Sequence, residues 1–250
     1  MTQYSDYFGP EGLRVRGTVL VVPGRGETRS TYTRFGKRLT ADAYRVRVID
    51  APDLATEDLT GLAARLSEAA EGTAVDDGVV RPLVLVGADS GAAAIAALLG
   101  RAAGGEPDAV VLAGLPGLTP GTSTAGTWDE ELDVRTSCPA HRGALTQDPE
   151  VRRGSLDDAV PEAVLSAAYD SEATVPTLLL VGDADPLADH EALARTAKSL
   201  ASARLSVVHG AHHDVLNDLQ HRSVAAEVVT FLENLRNELR PLITVRSSAW

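Results

Sequence analysis

Leu83-Val84-Leu85-Val86-Gly87-Ala88-Asp89-Ser90-Gly91-Ala92 decides how this chain reads. Four consecutive apolar residues predict a buried strand, the small residues after them a sharp turn, and the alanine-rich run to Leu99 a helix. That helix is apolar on every side, the pattern of a helix packed into an interior. Strand, small-residue turn and helix in this order hold one side chain out at the tip of a strained bend. With Gly87 and Gly91 as the framing glycines, the tip residue is Asp89, and Ser90 follows one position late.

Outward from this segment, short apolar runs at 18–22, 45–49, 109–113, 177–181 and 204–208 alternate with helical patterns at 29–40, 59–70, 90–99 and 191–200. A last helix carries the stripe Val224, Val228, Phe231, Leu232 and Leu235. Continuous Val/Leu strands alternating with helices predict an α/β fold, a mostly parallel sheet with helices on both faces. The crossovers of such a sheet are right-handed. Residues 9–17 predict a short antiparallel strand or hairpin ahead of the first parallel one. The stretch 114–175 breaks the rhythm: it holds no good strand, has clusters of Gly, Pro, Thr and Ser, and carries a charged helical piece over 157–169. Its length predicts a lid or cap inserted into a single domain spanning 1–250.

Composition narrows the function classes. The chain of 250 residues is 44% hydrophobic, enough for a sizeable core. Its net charge of -12, without a Lys/Arg run and with only 4% aromatic residues, disfavours nucleic acid as a partner. Cys138 is the single cysteine, so no intrachain disulfide forms, which fits a reducing compartment. The N-terminal residues lack a basic stretch followed by an apolar core, and the longest apolar run is shorter than the roughly 20 residues a bilayer requires. The expectation is a soluble cytoplasmic protein acting on a small molecule. Gly24 and Gly26 lack dinucleotide-fingerprint spacing, a P-loop lysine is missing, and Cys138 with His141 is too small a set for zinc. No cofactor and no metal are expected.

In a parallel sheet the reacting groups gather beyond the C-terminal ends of the strands. The strand ends here carry Pro23-Gly24-Arg25-Gly26-Glu27, Gly87-Ala88-Asp89-Ser90-Gly91, Gly182-Asp183-Ala184-Asp185-Pro186 and His209-Gly210-Ala211-His212-His213-Asp214. With these four motifs in this order, the chain resembles the α/β-hydrolase superfamily over essentially its whole length. The resemblance implies the chain order nucleophile, acid, histidine. The Gly-x-x-Asp pattern puts the acid at Asp185 in preference to Asp183, and Gly-Ala-x-His puts the base at His213 in preference to His212. It further implies cofactor-free hydrolysis of a small organic molecule at an ester, thioester, lactone or related bond. His213 would be the general base and Asp185 its orienting partner. The turn at Gly24 and Arg25, with the N–H of Ser90 after the tip, would meet an oxyanion or the substrate. Trp128 and Tyr169, in the insertion, are the candidate lid contacts.

Three readings of the tip stay open. Superfamily members with a tip aspartate include haloalkane and fluoroacetate dehalogenases and epoxide hydrolases, whose carboxylate attacks carbon to form an ester that His-activated water hydrolyses. This chain departs from them. Ser90 stands where they carry Trp, Pro23-Gly24 where they carry His-Gly, and the insertion has one tyrosine where epoxide hydrolases carry a pair. The second reading makes Ser90, between Ala88 and Ala92, the nucleophile of a serine esterase. The third keeps the fold without hydrolysis: Asp89 and His213 as an acid/base pair for isomerisation, cyclisation or carbon–carbon cleavage, or as a binding site. Arg25 either braces its turn through Glu27 or meets an anionic substrate group. His209 reads as structural, Asp214 as the cap of the following helix, and Cys138-Pro139-Ala140-His141 as a packed turn.

Overall fold

The computed structural model describes residues 4–74, 78–99, 107–118 and 126–248. Its sheet comprises β1 (Tyr4–Tyr7), β2 (Thr18–Val22), β3 (Arg45–Ile49), β4 (Leu83–Ala88), β5 (Ala109–Ala113), β6 (Thr177–Gly182) and β7 (Ala203–Val208). The strand order is β1-β3-β2-β4-β5-β6-β7. All neighbouring pairs are parallel except β1 with β3, where Tyr4 faces Ile49 and Tyr7 faces Val46. The antiparallel strand therefore lies at Tyr4–Tyr7 and not within 9–17. Pro10 cannot donate to a ladder, and Gly12 turns the chain at φ 81°.

The helices are α1 (Thr33–Ala41), α2 (Leu59–Glu71), α3 (Asp89–Leu99), α4 (Trp128–Arg135), α5 (Pro139–Gln147), α6 (Glu162–Tyr169), α7 (His190–Ser199) and α8 (His221–Leu235). Successive side chains of a strand point to opposite faces, so two apolar layers form. Leu20, Val22, Leu85, Leu112 and Val181 pack on one face with residues of α2, α3, α6 and α7. Val19, Val21, Val86, Val111 and Leu180 pack on the other with residues of α1 and α8, including the stripe Val224, Val228, Phe231 and Leu232. Each fully buried Val or Leu stabilises the fold by about 1.5–3 kcal/mol. Among the described residues, no helix is long and apolar enough to cross a membrane.

The segment between β5 and β6 has two parts. α4 and α5 enclose a small core of their own from Leu132, Leu145 and Val151, with Trp128 packed on it. α6 instead joins the main layer, burying Leu165, Ala168 and Tyr169 with α3. The helical piece expected over 157–169 is a short 3-10 turn at Ser155–Asp157 followed, after Pro161, by α6. Proline pushes the residue before it out of helical geometry but starts a helix well.

Candidate active site

β4 ends at Ala88 and α3 begins at Asp89, whose φ of 48° is left-handed. That conformation costs a non-glycine residue about 1–3 kcal/mol and persists only where packing enforces it. The two glycines allow the enforcement. A Cβ on Gly87 would lie 2.6 Å from Ala92 Cα, and one on Gly91 2.5 Å from the Val22 carbonyl oxygen. Gly24, in the turn after β2, comes equally close: a Cβ there would lie 2.7 Å from Asp89 Cβ.

The loops after β6 and β7 bring Asp185 and His213 to the same point. His213 Nδ1 is 2.9 Å from Asp185 Oδ2, and its Nε2 is 3.1 Å from Asp89 Oδ1. Gly114, at φ 57°, lets the His213 loop approach β5, since a Cβ there would stand 2.5 Å from the His213 carbonyl oxygen. The end of α4 grips the same loop, with His213 N–H donating to Val134 and Asp214 N–H to Arg135. The neighbours of these residues lie elsewhere. His212 bonds Asp218, and Asp183 bonds His209, which is 89% exposed.

Arg25 closes the row on the other side. Its main-chain N–H donates to Asp89 Oδ2 at 2.7 Å, and its Nε and Nη2 donate to the same carboxylate at 2.9 and 2.7 Å. Nη1 donates to the carbonyls of Leu156 and Asp158. Arg25 thus grips Asp89 and does not brace the turn through Glu27. Glu27 instead accepts from Gly24 N–H at 2.9 Å and from the Tyr32 hydroxyl. The Gly24 N–H is spent in that bond, which leaves Arg25 N–H as the donor of this turn aimed at the tip residue.

The four groups alternate in charge. Burial raises the Asp89 carboxyl, but Arg25 and His213 outweigh it and hold it well below the usual range. Burial lowers the His213 imidazolium, but Asp185 and Asp89 outweigh it and push it up to about 10. At neutral pH His213 is therefore a proton donor beside an ionised Asp89. A cavity of about 10 Å³, room for a single water, touches Asp89, His213, Glu27 and Asn217. On the far side of Arg25 opens a cleft of about 530 Å³ that Ser90 lines and Asp89 does not. Ser90 is 2% exposed, and its Oγ has no hydrogen-bond partner among the described residues. Trp128, packed on the small core of α4 and α5, donates to the exposed Thr146 hydroxyl, and Tyr169 donates to the Pro116 carbonyl in the main core. Neither lines the cleft.

Beside this row lies a buried ionic network that sequence reasoning missed. Asp214 is no helix cap: its carboxylate lies 2.8 Å from His141 Nε2 and 3.6 Å from Arg135 Nη1. Arg135, 1% exposed, also donates to Glu131, Ser155 Oγ and the Arg25 carbonyl. Glu27, His141 and Asp214 bring ligand-type atoms within 4.8 Å of one another. These atoms are already committed, Glu27 to Tyr32 and Gly24, Asp214 to His141 and Arg135, and the Arg135 charge opposes a cation. The available sequence signal was the i,i+4 pair Glu131–Arg135, a spacing that ordinarily marks a surface pair.

The model of the family described as "Serine aminopeptidase, S33" matches residues 14–220. No curated protein sequence matches significantly. Among solved structures, a soluble variant of monoglyceride lipase from Saccharomyces cerevisiae is similar at TM-score 0.75 and 16% identity, covering 93% of this chain and 91% of that one. Monoacylglycerol lipase from Paleococcus ferrophilus is similar at TM-score 0.74 and 17% identity, covering 94% and 99%. The enol-lactonase from Burkholderia xenovorans LB400 follows at TM-score 0.64 and 17% identity, covering 93% and 96%. At such identities these structures speak for the fold, which they share with this chain along nearly its whole length. On the strength of the family match, this chain belongs to the serine aminopeptidase S33 family and is an α/β-hydrolase-fold hydrolase.

Proposed function

We propose that the chain hydrolyses a small organic molecule at an ester, thioester, lactone or related bond in two steps, with Asp89 as nucleophile, His213 as proton carrier and Asp185 orienting the imidazole. One observation carries this reading: Asp89 presents one oxygen to His213 Nε2 at 3.1 Å and the other to Arg25 N–H at 2.7 Å. In the first step Asp89 attacks the electrophilic carbon, and the leaving group departs with its bonding pair and takes the Nε2 proton. The product on Asp89 is an ester if that carbon is saturated and an anhydride if it is acyl. A carboxylate is a weak nucleophile, so the leaving group must be a good one. Covalent attachment removes the Asp89 charge, one of the two that hold the imidazolium proton, and His213 becomes a base. In the second step it takes a proton from water, whose oxygen attacks the Asp89 carbonyl carbon. The oxyanion develops against Arg25 N–H, a contact of the kind that lowers the barrier by about 3–4 kcal/mol. Collapse restores the carboxylate, with one water proton on the released product and the other on His213. The activity is assigned to the cytoplasm, in keeping with the lone cysteine.

The test is turnover of activated esters, thioesters and lactones in H2-18O, followed by peptide mapping. The expected result is heavy oxygen in the Asp89 side chain, and loss of turnover in Asp89→Asn and His213→Ala. Turnover that leaves Asp89 unlabelled and disappears, together with fluorophosphonate labelling, in Ser90→Ala overturns the proposal in favour of Ser90. A second reading, a non-hydrolytic acid/base or binding role, is favoured by the Arg25 clamp on both Asp89 oxygens, which quenches a nucleophile. It predicts neither turnover nor label with any of these substrates.

A further inference from the structure

Arg25 stands between Asp89 and the cleft. Its guanidinium holds Asp89 through Nε and Nη2 and the Leu156 and Asp158 carbonyls through Nη1, and the residue lines the cleft. Beside it the floor is built from Ser90, Pro52, Leu54 and Val160. Ser90 Oγ is the second pointer to a ligand: it is buried without a partner among the described residues, and hydroxyls with an unmet hydrogen bond are rare in folded interiors. The floor thus offers a guanidinium, an idle hydroxyl and a short apolar wall. Of the acidic groups along the cleft, Asp53, Glu150 and Asp158 lie on the exposed rim, where Asp158 is paired with Arg152 at 2.7 Å, and the buried Glu27 is engaged by Gly24 N–H and the Tyr32 hydroxyl.

We propose that this cleft is a carboxylate-binding subsite, in which a small aliphatic carboxylate draws the Arg25 guanidinium off Asp89 and accepts a hydrogen bond from Ser90 Oγ. The proposal rests on the reading of Asp89 as the reacting group and names the chemistry of its substrate. The charge balance selects an anion. A neutral ligand that displaced Arg25 would leave a buried ion without its partner, which is strongly unfavourable. A carboxylate replaces the Asp89–Arg25 pair by an equivalent one and leaves Asp89 with one hydrogen bond on each oxygen, from His213 and from the Arg25 main-chain N–H, freed of the guanidinium. The guanidinium suits the exchange, because its planar fork binds any carboxylate bidentately.

The experiment is titration of the whole chain with butyrate and, separately, with butyramide at constant ionic strength, by calorimetry and by the downfield imidazolium N–H resonance of His213. The expected result is saturable butyrate binding about tenfold or more tighter than butyramide, with the resonance moving on butyrate alone. Ser90→Ala, which removes no existing hydrogen bond, weakens butyrate several-fold, and Arg25→Met abolishes the preference for the anion. Equal affinity for the two ligands in the wild type, or a preference that survives Arg25→Met, overturns the proposal. If Arg25→Met does not fold, the wild-type comparison and Ser90→Ala decide it. Butyrate binding without heavy oxygen in Asp89 refutes the hydrolytic reading alone. Labelled Asp89 without an anion preference refutes the subsite alone.

Discussion

Arg25 and Glu27 stand two residues apart in one turn, yet their surroundings treat their charges oppositely. Arg25 is lowered by burial, but the Asp89 carboxylate outweighs this and keeps its charge in place. Glu27 faces burial and the charge of Asp214, and its carboxyl is pushed up to about 7. The sign of the consequence follows from linkage. A carboxyl whose folded pKa lies above its unfolded value favours unfolding once the unfolded chain ionises, so this cost builds from about pH 4.5 and levels off above about pH 7. Glu27→Gln keeps an acceptor for Gly24 and Tyr32 and removes the titration. Relative to wild type, it is expected to gain roughly 2–3 kcal/mol between pH 5 and pH 8 in urea unfolding. A difference that stays flat across that range would show that Glu27 is ionised throughout. His213 runs the other way: its raised pKa stabilises the fold fully below about pH 6.5 and loses that contribution as pH rises through about 10. At this scale Asp89, Asp185 and His213 were legible as residue types at strand ends. The grip of Arg25 on Asp89 was not, because rotamers answer to neighbours more than sixty residues away.

The bend between β4 and α3 sets what this element can tolerate. Its two glycines serve close approach: the space beside Gly91 is filled by the Val22 and Pro23 carbonyls. Gly91→Ala must therefore push α3 off the end of β2, and overpacking of this kind costs about 1–3 kcal/mol. Gly143, within α5, is the opposite case. An added Cβ would meet nothing closer than Gln147 Nε2 at 3.9 Å. Gly143→Ala is expected to stabilise by about 0.5–1 kcal/mol, since alanine restricts the unfolded chain and suits a helix. Thermal and urea unfolding of the two variants checks both signs, and destabilisation by Gly143→Ala would refute the open space beside α5. Elements of this kind were readable in the sequence where periodicity and punctuation agreed, as in β2, β4, β6 and α8. Reading failed at the first strand and at the start of α6, where Pro10, Gly12 and Pro161 decide the boundary.

Across the whole molecule the segment between β5 and β6 is joined to the site through Arg135. This side chain in α4 touches the turn after β2 through the Arg25 carbonyl and the His213 loop through Asp214. Removing one partner of a buried ionic group costs about 3–5 kcal/mol, and Arg135→Met is expected to lose that much stability. Adding Glu131→Gln to Arg135→Met should restore part of the loss, because contacting residues couple. Strict additivity in calorimetric melting would show that the pair is not coupled. By itself the sequence determined the layered α/β architecture and put Asp89, Asp185 and His213 beside strand ends in that order, with Ser90 left open as the tip. Those features follow from local periodicity and from residues next to strand ends. Only the tertiary structure decided that Arg25 covers Asp89, that Ser90 lines the cleft with a buried hydroxyl lacking a partner among the described residues, and that Asp214 belongs to a buried network. Each of these depends on side chains that meet across long stretches of chain, where desolvation and charge pairing choose the partner and local pattern carries no record of it.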